Sequence, residues 1–155
     1  MATRLEEMLQ RLVSFNADET VIQFMNSPEI TSEIIKRNQD QLRAGFDSMG
    51  EALKYVDAKG VTRLGYSKAT ELINPNKREG EHFTLEDEGF FFSTFRVERI
   101  SEGISIEANP NRGNANLFVK FGDFVIGLNR ENRDWLIDVI KEKLNLHVRR
   151  EILQI

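Results

Sequence analysis

The chain has 155 residues, with 21 Lys plus Arg against 25 Asp plus Glu and a formal net charge of −4. So mildly acidic a surface excludes a general grip on nucleic acid and leaves room only for a local basic patch. Cysteine is absent, which removes disulfides, thiolate catalysis and zinc–sulfur sites.

Hydrophobic residues make up 40% and charged residues 30%, the balance of a folding chain. A compact chain of this mass exposes roughly 8,000 Å² of the roughly 26,000 Å² of its open form. About two-thirds of the surface is then available for burial, enough for one core. The expectation is an α+β protein with N-terminal helices, a small antiparallel sheet and a C-terminal amphipathic helix. Residues 1–26 form a helical arm, 27–145 a single domain with a loop excursion at 57–83, and 146–155 a tail. The start, Met1 to Phe15, has no signal-peptide pattern, because acids follow its first apolar pairs at once. Phe90–Phe92 and Phe124–Ile126 are too short to cross a bilayer, so no membrane contact is expected.

Residues 3–15 read as a short amphipathic helix, with Leu5, Leu9, Leu12 and Met8 at helical spacing. It packs either on its own domain or on a neighbouring subunit. Asp18 is placed to cap a second helix over 19–26. Ser27-Pro28-Glu29 is a strong start signal for a third, which runs to Ala44 and stops at Gly45. Its buried line is Ile30, Ile34, Gln41 and Leu42, with Ile35 alongside. Residues 52–56 read as a short strand. Residues 57–83 are polar, with isolated Leu64, Tyr66, Leu72 and Ile73, and are expected to become fixed when subunits meet.

Thr84–Asp87 opens a helical turn that ends at Gly89. Phe90–Ile100 then reads as a strand, alternating from Phe91. Ser101-Glu102-Gly103 turns it into a second strand carrying Ile104, Ile106 and Ala108. A loop at 109–116 leads to a third strand at Leu117–Phe121. Gly122 and Gly127 bend the chain into the last helix, capped by Asn129, with Leu136, Ile140 and Leu144 on its apolar stripe. Val148 and Ile152 continue that spacing. The tail is apolar for a terminus and docks either on its own chain or on a partner. Phe91, Phe95, Ile104, Ile106, Leu128, Leu136 and Ile140 are the expected sheet–helix core.

Chemistry is sparse. His82, near Glu81 and Glu86, lacks any metal-ligand spacing and reads as a solvated loop histidine. His147 has Arg149 and Arg150 beside it, a poor setting for a cation. Asp47, Asp57, Asp87 and Asp123 sit by glycines or turns and read as Asx-turn and capping residues. Ser67 and Ser93 lack a G-x-S-x-G frame, and Gly122–Gly127 fits neither dinucleotide nor P-loop spacing. No catalytic residue, metal or cofactor is expected. Arg112, on a loop tip, reads first as a solvated charge; the alternative is a contact with DNA phosphates that reads no sequence.

Three segments carry a resemblance. Asn38-Gln39-Asp40-Gln41-Leu42 to Gly45-Phe46-Asp47-Ser48-Met49-Gly50 resembles an N-x-x-Q-L-x-x-G-x-D-S-x-G pattern. After Tyr66-Ser67, the run Thr84–Phe95 resembles T-L-x-D-T-G-x-F-x-x-S-F, and Phe121–Asn132 resembles F-G-x-x-I-F-G-L-x-x-E-N. Together they are similar to small virion morphogenesis proteins of tailed phages, especially those infecting Bacteroides-like hosts. The likeness spans about residues 30–140 and departs at Glu88, usually Thr, and Ile126, usually aromatic. It implies a structural protein, not an enzyme, in a neck or head–tail connector ring. Such a ring sits between portal and tail around the DNA exit channel. The implied partners are copies of itself, a portal or adaptor protein, tail proteins and DNA, in a virion assembled in the host cytoplasm. A tail terminator or head-associated adaptor is the alternative position. A small virion-associated hydrolase or a nucleic-acid-binding accessory protein are the remaining readings. The first needs converging carboxylates near His82; the second needs a Lys/Arg stripe.

Overall fold

The computed structural model describes residues 3–87 and 89–155. Met1 and Ala2 of the arm, and Glu88 with its departure from the phage pattern, lie outside them. The fold is α+β. Three helices open the chain: α1 (Arg4–Ser14), α2 (Ala17–Met25) and α3 (Pro28–Arg43). The strand pair β1 (Tyr55–Val56) and β2 (Thr62–Arg63) and the helix α4 (Lys68–Ile73) follow. A helical turn, α5 (Phe90–Ser93), leads into the hairpin of β3 (Arg96–Ile100) and β4 (Gly103–Glu107). A second small pair, β5 (Asn111–Arg112) and β6 (Ala115–Asn116), precedes α6 (Leu117–Phe121). After a 3₁₀ turn at Asp123–Val125 comes α7 (Arg130–His147), continued by a π-helical segment at Val148–Leu153.

The small antiparallel sheet is three separate two-stranded pairs among the described residues. The β3–β4 hairpin has the expected turn, with Ile100 opposite Gly103 and Arg96 opposite Glu107. The first half of the expected Phe90–Ile100 strand and the whole of the expected Leu117–Phe121 strand are helical instead. Phe91, Phe92 and Phe95 are all buried in one cluster. A strand would send Phe91 and Phe92 to opposite faces, whereas i, i+1, i+4 on one side is the geometry of a helical turn. Gly89, with φ of 75°, heads that turn rather than opening a strand. Ser93 and Thr94 each donate a hydroxyl hydrogen back to a carbonyl three residues earlier, at 2.7 Å. The same spacing recurs at Leu117, Phe118 and Phe121, and Asn116 Oδ1 caps α6 by accepting from the Phe118 and Val119 amides. The helical turn expected at Thr84–Asp87 is absent, since those residues run without helix up to Asp87.

The caps also differ in detail. Asn16, not Asp18, caps α2, accepting from the Glu19 amide. Thr3 and Glu6 form a reciprocal capping box on α1. Ser27 stands at the N-cap of α3, but its hydroxyl donates to the Phe24 carbonyl instead of capping. Asn129 caps α7 by accepting from the Asn132 amide.

One face of α3 feeds two apolar clusters. Leu42 joins Leu53, Phe83, Leu85, Phe91, Phe92, Phe95, Leu117 and Val125 in an aromatic-rich core. Ile30 and Ile34 join Leu128, with Val97, Ile104, Ile106, Trp135 and Leu136 around them. The expected core residues are thus divided between two clusters, with Ile106 packed against both. Ile140 is buried on α7.

The 57–83 excursion is folded within the single chain, contrary to the expectation that it waits for a neighbour. The Tyr66 amide donates to the Glu81 carbonyl, the Tyr66 carbonyl accepts from the Gly80 amide, and Gly65 bridges to His82. A side chain at residue 65 would meet the carbonyl oxygens of Glu81 and Gly80 within 2.9 Å, so glycine is what lets the two backbones close.

Candidate functional site

The three segments singled out in the sequence meet in space. Asn38 is fully buried on α3. Its Nδ2 donates to the Val125 carbonyl (3.1 Å), and its Oδ1 accepts from the Gly127 amide (2.9 Å). One turn on, Gln41 Nε2 donates to the Gly127 carbonyl (3.0 Å), while its Oε1 accepts from the Asn129 amide (2.8 Å) and Asn132 Nδ2 (3.2 Å). The Ser48 amide donates to the Phe124 carbonyl at 2.7 Å. The Asn and Gln of the first segment therefore serve as a side-chain substitute for a β-ladder along residues 125–129 of the third. The middle segment closes the set: Gln39 Nε2 donates to the Phe92 carbonyl, and Arg43 pairs with Glu86 and Asp40. These residues hold the fold together. Gln41 was expected on the buried line as if apolar, and its buried polar head marks a clasp that periodicity alone does not reveal.

The remaining singled-out residues are dispersed. His82 is exposed, but not idle: its Nε2 donates to the Arg43 carbonyl at 2.8 Å, and its ring covers Gly45. It ties the excursion to the end of α3. Gly45 has a φ of 88°, and a Cβ there would stand 2.6 Å from the imidazole. His147 is stacked on Phe15 and edge-on to Phe24, both at 5.8 Å between centroids, so it fastens the α1–α2 corner to the end of α7. Asp47 and Asp57 each accept two amide hydrogens in Asx-type turns. Asp87 pairs with Lys77 (3.5 Å) and with Arg112. Asp123 begins the 3₁₀ turn that runs to Val125. Ser67 caps α4 through the Thr70 amide, and Ser93 bonds its own turn. Among the described residues, no group of three or more His, Asp or Glu side chains gathers as metal ligands would.

What stands out on the surface is apolar. On α1, Leu5, Leu9 and Leu12 form a stripe that stays largely in solvent, and Val13 is 88% exposed. No residue of α1 is buried, although the helix rests against the π-helical segment, where Ile152 is buried. On α4, Leu72 and Ile73 are 78% and 87% exposed, with Leu64 and Val61 exposed before them. Val119, Phe124 and Ile155 add to this set. The chain exposes 10480 Å², about 2,500 Å² beyond the roughly 8,000 Å² of a compact monomer of its mass. Folding thus buries about 60% of the open chain rather than two-thirds. Among the described residues, no helix is long and apolar enough to cross a membrane. No protein-family model, curated protein or solved structure matches the chain.

Proposed function

We propose that the protein is a structural subunit of a tailed-phage neck or head–tail connector ring, built from copies of itself and acting by assembly rather than catalysis. The observation that carries this reading is the uncovered apolar surface of α1 and the excursion. A permanent assembly buries more than about 2,000 Å² per interface, the size of the excess this chain exposes. A closed ring needs two different faces on each subunit. The α1 stripe and the Leu64–Ile73 region supply two apolar patches on separate elements. The phage-like segments that clasp each other add to the reading, because they link the resemblance to the folding core. In this reading the ring contacts portal or adaptor proteins on one side and tail proteins on the other. DNA passes through its channel, and the particle forms in the host cytoplasm. A tail terminator or head-associated adaptor would use the same surfaces at a different level of the virion.

The test is sedimentation velocity with electron microscopy of the purified protein, alone and with the portal protein of its phage. Rings, or stable attachment to the portal, are expected, and Leu5→Glu with Leu9→Glu should abolish them while leaving the monomer folded. A wild-type chain that stays monomeric in both settings overturns the proposal.

A further inference from the structure

Where the excursion folds back toward α6, a cavity of about 170 Å³ lies between aromatic walls and positive charges. Tyr55, Tyr66, Phe83 and Phe121 form the walls and pack edge-to-face, with Tyr66 and Phe83 5.1 Å apart and Phe83 and Phe121 5.2 Å apart. Lys77, Arg112 and Lys120 face the same space from three different segments. The Lys120 ammonium sits 4.2 Å over the Tyr55 ring, and Lys77 lies 5.4 Å from Tyr66. Ser67 and Thr70 add hydroxyls to the lining. No carboxylate lines the cavity among the described residues. Asp87 lies outside it and pairs with Lys77 and Arg112. Among the described residues, three cations thus answer to one carboxylate.

This arrangement is costly as it stands. The Lys77 side chain is only 16% exposed, and taking an ammonium out of water is unfavourable without a full counter-charge. Burial first, then Arg112, holds the Lys77 ammonium below its ordinary range. Burial, then Lys77 and Arg112, does the same for Lys120. A bound anion would supply the counter-charge that the two lysines lack. The cavity is smaller than the roughly 300–1,000 Å³ of drug-sized ligand sites, which limits the guest to a small group. Donors arriving from three segments suit a tetrahedral oxyanion better than a flat carboxylate, which one guanidinium fork would satisfy.

We propose that Lys77, Arg112 and Lys120 form a binding site for one phosphate group, held over the Tyr55–Phe121 aromatic wall. The same chemistry is offered by free phosphate and by a single phosphodiester of a nucleic-acid strand. The site stands independently of the ring assignment.

Titration calorimetry and thermal melts with inorganic phosphate, at constant ionic strength set with sodium chloride, test it on the full chain. Saturable binding with a rise in Tm is expected. Lys120→Gln, at the exposed mouth of the cavity, should weaken the Kd by about tenfold or more, the loss of one charge-assisted hydrogen bond. Lys77→Gln should do the same, and Lys141→Gln on α7 should leave the Kd unchanged. A short oligonucleotide distinguishes the source: binding that Lys120→Gln weakens points to a phosphodiester, and binding of phosphate alone points to the free ion. The proposal fails if chloride or acetate stabilises the fold as well as phosphate does. It also fails if Lys120→Gln, shown folded by circular dichroism, binds phosphate as tightly as wild type.

Discussion

Replacing Asn38 by alanine probes the clasp most directly. Asn38 has no solvent exposure, and its amide satisfies the Val125 carbonyl and the Gly127 amide at once. Alanine leaves both backbone groups without their partner in a dry seam. Each such orphan costs about 1–3 kcal/mol, so the substitution should destabilise the fold by about 2–6 kcal/mol. That is a large share of the roughly 5–15 kcal/mol by which domains are stable. With a urea slope of about 2 kcal/mol per molar, the unfolding midpoint should fall by about 1–3 M. Gln41→Ala adds a second reading. Both side chains hold Gly127, one by its amide and one by its carbonyl, so the double variant should cost less than the two single losses combined. Urea unfolding of wild type, both single variants and the double variant completes the cycle. An Asn38→Ala loss under about 1 kcal/mol, or strict additivity with Gln41→Ala, would refute the clasp as the element joining α3 to residues 125–129.

Phe91→Ala, in the aromatic cluster, should cost about 3–5 kcal/mol in the same assay, because the hole opens among Phe92, Phe95 and Phe118; a smaller loss would place the ring outside the core. Gly45→Ala should destabilise by more than about 1 kcal/mol and raise amide exchange across residues 80–83, since the new methyl pushes on His82 and the φ of 88° disfavours it; unchanged protection there would contradict the His82 tie. Stability should hold from neutral pH down to the ordinary carboxylate range and fall below it. Glu19 is held low by Arg99, Asp40 by Lys36 and Asp57 by the Val61 amide, so the unfolded chain takes up protons before the folded one. These carboxylates are exposed, so the decline should be shallow and weaken further with salt; urea midpoints that rise on acidification would reverse the sign.

The two long helices and the β3–β4 hairpin are legible from periodicity and turn residues. Pro28 after Ser27, Asn129 before α7, and the alternation of Val97, Ile104 and Ile106 all survive in the structure. The two strand misreadings share one cause. In Phe90–Phe95 and Leu117–Phe121, a short apolar run satisfies both a strand and a helical turn, and only the distant wall decides which. For the phenylalanines that wall is the cluster of Leu42, Leu53 and Leu117. The Leu5–Leu9–Leu12 stripe is visible in the chain itself, but its exposure is not, because nothing local says what the helix will rest on. Lys77, Arg112 and Lys120 are too widely separated along the chain for spacing to join them. The roles of Asn38 and Gln41 were equally hidden, since a polar residue on a buried stripe reads as noise until its acceptor is in view.

The path of α3 past both clusters has a consequence for which sequence changes the protein can absorb. Ile30 and Leu42 lie on one helix about 18 Å apart at 1.5 Å per residue, and each is pinned to a different hydrophobic neighbourhood. The helix is therefore a ruler with fixed marks. Deleting a single residue between them turns everything beyond it by about 100°, swinging Leu42 toward water and taking Asn38 or Gln41 off its backbone target. Surface connections between elements can gain or lose length by drift, but α3 can change only in steps that restore both phase and distance.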